Sequence, residues 1–314
     1  MEPLSNVNVD HAVAFDARAD GDEAAAVGRA ARLRGYWQMT RPSVVALVFF
    51  TAVPMLFLVP GGLPSLQIAA GLLAGIAAIA GASSVFNAWI ERESDKLMVR
   101  TRTRPLPSGL IEPRHALLFA WVLSFAGLAV IGACGHWLGV VAGALTIAFY
   151  VFVYTIWLKP LTPLNIVIGG AAGAAPPLIV DASLTGGVGL MSLTLFAIVF
   201  LWTPPHFWAI SLFRKDDYAA AGFPMLPITH GDDHTRRRIT LYALSMLPPS
   251  LLPVLTGHLS LGYGGVALAV NAGFIWTCWQ LEQRKTHQAA RRVMFGSLIY
   301  LHLLFTAMTV DLML

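Results

Sequence analysis

Charge is what this sequence has least of. Only 12% of its 314 residues are Asp, Glu, Lys or Arg, about half the share of an ordinary soluble domain, while 56% are hydrophobic. A chain so composed cannot cover itself with polar surface, which excludes a water-soluble fold for most of its length. Cysteine is scarcer still. Cys134 and Cys278 both sit in apolar segments without CxxC spacing, excluding a disulfide framework and a thiolate metal site. The first 35 residues lack both the apolar stretch of a signal peptide and the acid-poor, Arg-rich composition of a transit peptide. They carry Asp10, Asp16, Asp20, Asp22 and Glu23 among small residues and read as a disordered cytosolic tail (1–35) ahead of one membrane domain (36–314). The net charge of +4 does not point to nucleic acid, because the basic residues fall in short clusters between apolar runs.

What is present is apolar length. Nine runs are long enough to cross a bilayer, at about 42–60, 66–90, 115–133, 137–158, 164–182, 189–213, 238–257, 262–281 and 293–313. The Lys and Arg supply tests this division. Five lie up to Arg41, six between Arg92 and Arg114, one at Lys159, five between Arg214 and Arg238, and four between Arg284 and Arg292. Every alternate connection has none, so the positive-inside rule places the N-terminus in the cytoplasm and the C-terminus outside. The expected fold is all-α, a polytopic membrane bundle of nine helices.

At the end of the second run stand Asn87, Glu91 and Asp95, spaced by four, so on a helix they share a face and spread over roughly 12 Å. That slanted row of oxygen donors suits a metal-bound diphosphate better than a bare ion, since magnesium retains water and needs one or two carboxylates beside phosphate oxygens. Arg100, Arg102 and Arg104 follow, adding forked donors for phosphate. The sixth run travels in the same direction and ends at Arg214-Lys215-Asp216-Asp217-Tyr218, so two acid clusters reach one membrane face. His206, about two turns inside that face beside Pro204 and Pro205, is costly at that depth unless it meets a cavity or a partner. It reads either as a functional group or as a structural histidine bonded to a carbonyl freed by Pro205. Tyr154 and Lys159 close the fourth run on the same face, as a diphosphate contact or as a snorkelling lysine.

From about Tyr36 onward the chain resembles the UbiA-type intramembrane prenyltransferase superfamily. The stretches that carry the likeness are Asn87 to Leu106, Tyr154 to Pro177 and Trp202 to Pro227, and the last, with Pro205-His206-Phe207 and Ala221 to Pro227, is similar to the haem-modifying branch. The resemblance implies nine helices around a central cavity, with farnesyl diphosphate held through Mg2+ at the cytoplasmic mouth. It assigns Asn87, Glu91, Asp95 and Asp217 to the metal, with Asp216 beside them in the acidic machinery. Arg100, Arg104, Tyr154, Lys159 and Lys215 become substrate contacts, and His206 becomes the candidate for positioning a porphyrin, with axial ligation to its iron left open. Glu91 stands where many members have Asp, and Phe213 occupies the place of a further acid four before Asp217. The reaction implied is farnesyl transfer to a vinyl group of haem b with addition of water, in a bacterial inner membrane. Partners implied are farnesyl diphosphate, haem b and the lipid bilayer, with a homo-oligomer and haem-pathway or oxidase-assembly proteins left open. Two rivals remain: a relative prenylating an aromatic quinone precursor such as 4-hydroxybenzoate, and a transporter whose acids bind coupling ions. A transporter predicts ionisable residues at mid-membrane in several helices, whereas here the acids gather at one face.

Overall fold

The computed structural model describes residues 28–314, and these are helical with short connections. We label the long helices α1 (Gly28–Met39), α2 (Pro42–Leu58), α3 (Leu66–Ile90), α4 (Pro113–Cys134), α5 (Trp137–Leu161), α6 (Asn165–Thr185), α7 (Leu190–Phe213), α8 (Asp232–Leu255), α9 (Leu261–Arg284) and α10 (His287–Asp311). Among the described residues, eight helices are long and apolar enough to span a membrane, and the pair α1 and α2, bent by 44°, makes a ninth. Starts are set by local chemistry. Pro42 and Pro113 open α2 and α4, where a missing N–H costs nothing. The Ser65, Ser260 and Thr286 hydroxyls accept from the first-turn N–H groups of α3, α9 and α10.

Three helix starts differ from the hydropathic reading. α8 begins at Asp232 and α10 at His287, six residues earlier in each case: ion pairs hold the first turn of α8, and the Thr286 cap holds that of α10. Arg236 pairs with Asp233 at 2.7 Å, and Lys285 with the same carboxylate at 2.9 Å. Residues 28–35, expected within the tail, are helical as part of α1, whose Ala, Arg and Leu are good helix formers. The remainder of the expected tail, 1–27, lies outside the described residues.

Loops 91–112, 162–164 and 214–231 share one end of the bundle. The connections at the other end, 59–65, 135–136, 186–189 and 256–260, contain no Lys or Arg. α7 is central, packing on α2, α6, α8 and α10. α3 and α4 pack along each other extensively, and Gly75 and Gly127 face each other between them. A Cβ built on either would stand 2.9 Å from the other's carbonyl oxygen. Outward-facing Trp121, Phe125, Trp157, Trp276 and Phe295 are exposed, an arrangement that only lipid satisfies. The protein is an integral membrane protein.

Candidate active site

The acid row survives although α3 ends at Ile90. The Glu91 N–H donates to the Asn87 carbonyl at 2.9 Å and the Asp95 N–H to the Glu91 carbonyl at 2.8 Å, so the four-residue spacing is carried beyond the helix by the turn that follows. All three side chains are buried, at 1%, 7% and 1% exposure for Asn87, Glu91 and Asp95, which rules out a solvated mixed-charge loop. Buried charge needs a partner, and each row member has a cationic one from a different part of the chain. Arg41 donates to Asn87 Oδ1 at 2.6 Å, Lys159 pairs with Glu91, and Arg104 donates to Asp95 Oδ2 at 3.0 Å. Thr101 donates its hydroxyl to the Asp95 carbonyl at 2.7 Å, which folds the arginine loop back over the row.

Arg41 gets there through backbone geometry. It sits at the bend between α1 and α2 with φ +53°, a left-handed conformation rare for a residue with a side chain, and its side chain lines the cavity below. Lys159 gets there through a π-helical stretch, Phe149–Leu158, inside α5. The Thr155 hydroxyl donates to the Tyr150 carbonyl, five residues back, at 2.9 Å, and itself accepts from Asn87 Nδ2 at 3.4 Å. The wider turn thus aligns Tyr150, Tyr154, Thr155 and Lys159 towards α3. The Lys159 ammonium also lies 4.8 Å from the centre of the Phe223 ring, so the loop after α7 meets the end of α3 across a single lysine.

Positive charge is concentrated here. Burial, then the nearby Arg41 and finally Arg100 pull the Arg104 guanidinium below its ordinary pKa, with Asp95 opposing them. An anion placed among these three arginines relieves that repulsion. The second cluster is more open. Asp217 is half-buried and 3.6 Å from Arg214, Lys215 pairs with Asp232 at 2.9 Å, and Asp216 is exposed. Among the described residues no three His, Cys, Asp or Glu side chains converge as a ready-made metal cage. The row itself still fits an ion. Its donors are hard oxygens, and the buried Asp95 Oδ1 has no hydrogen-bond partner. An ion that keeps water and phosphate ligands suits such a set.

Below the mouth lies a cavity bounded by Arg41, Tyr150, Tyr154, Trp202, His206 and Phe207 among others. A second, mainly apolar lobe runs deeper between α2, α3, α5 and α6, to Ile76 and Ile179. The two lobes share Val44, Val48, Ser84, Tyr150 and Gly173. His206 is on the first lobe. Its partner is the Ser297 hydroxyl on α10, 2.7 Å from Nδ1, and not a carbonyl freed by Pro205. Of the residues singled out in the sequence, Asn87, Glu91, Asp95, Arg104 and Lys159 come together directly, and Tyr154 and His206 line the space beneath them. Arg100 lies on the exposed side of the loop. Arg41, Tyr150, Thr155, Trp202 and Ser297 were not singled out. Arg41 alone left a signal, as a basic residue beside a helix-starting proline on the right face.

Cation-paired carboxylates above a branched apolar cavity, inside a lipid-facing bundle, define an intramembrane prenyltransferase. Residues 47–302 match the UbiA prenyltransferase family, and the chain belongs to it. It is similar to proteins named protoheme IX farnesyltransferase from Parvibaculum lavamentivorans (42% identical, covering 90% of this chain and 89% of the relative) and Aromatoleum aromaticum (45%, covering 90% and 93%). The fold is similar to that of a digeranylgeranylglyceryl phosphate synthase (TM-score 0.74, 17% identical, covering 90% of this chain and 98% of the other). It is also similar to a UbiA homolog from Archaeoglobus fulgidus bound to DMAPP and Mg2+ (TM-score 0.63, 17% identical, covering 88% and 99%).

Proposed function

We propose that this chain farnesylates haem b. Farnesyl diphosphate enters with its head among Arg41, Arg104 and Lys159 and its tail in the apolar lobe, and the porphyrin occupies the lobe lined by His206. The observation that carries this reading is one cavity whose wall runs from Arg41, which is bonded to Asn87 of the acid row, to His206, and the names of relatives 42–45% identical over about nine-tenths of the chain support the choice of acceptor. Fifteen isoprenoid carbons buried at about 0.8 kcal/mol per methylene supply at most roughly 12 kcal/mol of binding, enough to anchor the tail and leave the head at the polar end.

Catalysis is stabilisation of charge on the leaving group. The C–O bond at farnesyl C1 breaks and its electron pair stays with diphosphate, whose growing charge Arg41, Arg104 and Lys159 neutralise. The π electrons of a haem vinyl group then form the new bond to C1. Water adds to the carbon left electron-poor and loses a proton, giving the hydroxyethylfarnesyl group and diphosphate. Asn87, Glu91 and Asp95, with Asp217 as the contribution of the second cluster, are the residues that would hold Mg2+, which supplies Lewis-acid neutralisation of phosphate oxygens when bound. Tyr154, at the cavity wall beneath Lys159, closes the space against water. In the bilayer the mouth faces the cytoplasm of an inner membrane, with the N-terminus on that side, following the distribution of Lys and Arg.

The test is incubation of purified protein with farnesyl diphosphate, Mg2+ and either haem b or 4-hydroxybenzoate, read by mass spectrometry. A farnesylated, hydrated haem is expected. Prenylated 4-hydroxybenzoate with unmodified haem would move the acceptor to a quinone precursor.

A further inference from the structure

Ser297, on α10, is completely buried and remote from the acid row in sequence, yet it sets the state of His206. Its hydroxyl donates to the Met294 carbonyl at 2.6 Å and also lies 2.7 Å from His206 Nδ1. A serine hydroxyl has one proton. With that proton committed to Met294, the bond to the imidazole has to come from the ring, so His206 is the Nδ1–H tautomer and Nε2 keeps its lone pair. Nε2 has no hydrogen-bond partner among the described residues, and the ring it belongs to lines the cavity. The Ser297 backbone acts on the same ring from another side. Its carbonyl accepts from Trp202 Nε1 at 2.7 Å, and the Trp202 ring stacks on His206 with centres 4.6 Å apart and planes 18° from parallel. One residue thus fixes both the proton and the platform.

Histidines that ligate metals are held in this manner, the second nitrogen donating to a fixed acceptor that sets tautomer and ring orientation. We propose that Ser297 is a positioning residue for the acceptor: by taking the Nδ1 proton of His206 in a hydrogen bond, it presents Nε2 as an axial ligand to the iron of the haem substrate. This rests on haem being the acceptor. The bond formed is dative, from the Nε2 lone pair to iron, and no electron or proton is exchanged. The α10 helix then has a part in substrate recognition although it contributes nothing to the diphosphate end.

The experiment titrates the full chain in lipid nanodiscs with ferric haem b, followed by Soret absorption and electron paramagnetic resonance, with steady-state kinetics alongside. The unaltered protein is expected to give a histidine-ligated spectrum that His206→Ala removes. Ser297→Ala is expected to weaken haem binding by about 10- to 100-fold, to shift the spectrum, and to raise KM for haem while KM for farnesyl diphosphate and Tm stay put. Ser297→Thr, which keeps the hydroxyl, should restore binding. Where Ser297→Ala does not fold, Ser297→Cys, of similar size and weaker hydrogen bonding, should change the spectrum in the same direction. A wild-type spectrum in His206→Ala overturns the proposal, as does wild-type haem affinity in Ser297→Ala. So does a rise in both KM values that Ser297→Thr fails to reverse, the pattern of a packing residue. Farnesylation of haem by the unaltered chain is measured separately, so loss of the Ser297 role and loss of the haem reading give different results.

Discussion

Glu91 and Asp95 differ in how firmly they are already held, and that difference predicts how they respond to substitution. Glu91 has a lysine at one oxygen. Asp95 has an arginine at Oδ2 and nothing at Oδ1, in a place where only 1% of the residue is exposed. A lone buried carboxylate oxygen is costly unless something positive or protic meets it during the working cycle. Asp95→Asn keeps the shape and removes the charge, and kcat/KM for farnesyl diphosphate should fall by about 10²–10³-fold, as when one preorganised charge-stabilising group is lost. Glu91→Gln should fall in the same range, while Glu91→Asp, still a hard oxygen donor on a shorter arm, should retain most of what Gln loses. Steady-state kinetics of the three variants check the order. Equal loss in Glu91→Asp and Glu91→Gln would mean that reach matters at position 91 as much as charge.

At the scale of elements, the π-helical stretch of α5 decides how close the cavity wall comes. Gly169 on α6 lies against the Tyr154 ring so tightly that any Cβ there would enter the ring. Gly169→Ala must therefore push Tyr154 out of place, and overpacking of this kind costs about 1–3 kcal/mol. The expected result is a lower unfolding temperature together with a raised KM for farnesyl diphosphate, both relieved by Tyr154→Leu in the double variant. The elements themselves were legible from sequence because bilayer thickness sets run length and because Lys and Arg mark alternate connections. The acid row was legible for a similar reason, since spacing of four survives as backbone hydrogen bonds even after the helix ends. Other features left no trace. A π-helix arises from how Thr155 meets Asn87 across two helices, the early start of α8 depends on ion pairs, and a lone serine at position 297 in an apolar helix has many possible uses. Arg41 counts in the sequence only among the basic residues before α2, because its inward turn depends on a left-handed backbone angle that hydropathy does not encode.

For the molecule as a whole, the junction between the two lobes becomes the point where prenyl chain length is set. Gly173 lines both lobes, and a Cβ built on it meets nothing within 4 Å, so a larger side chain there fills space without displacing its neighbours. Gly173→Leu should leave Tm near that of the unaltered protein and raise the preference for geranyl over farnesyl diphosphate, measured as the ratio of their kcat/KM values, by at least about tenfold, since each excluded methylene is worth about 0.8 kcal/mol. An unchanged ratio would place the tail elsewhere.

The mouth of the bundle brings its own counter-ions. Each oxygen donor of the row is matched by a cation anchored on a separate segment, so a divalent ion arriving alone has to compete with Lys159 for Glu91 and with Arg104 for Asp95. A diphosphate arriving alone has to draw those same side chains away from carboxylates that would be left bare. Arriving together they trade partners, carboxylate to metal and guanidinium to phosphate, and no charge is stranded at any stage. Metal and diphosphate are in this sense halves of one ligand, and the protein is built to accept them as a neutral exchange.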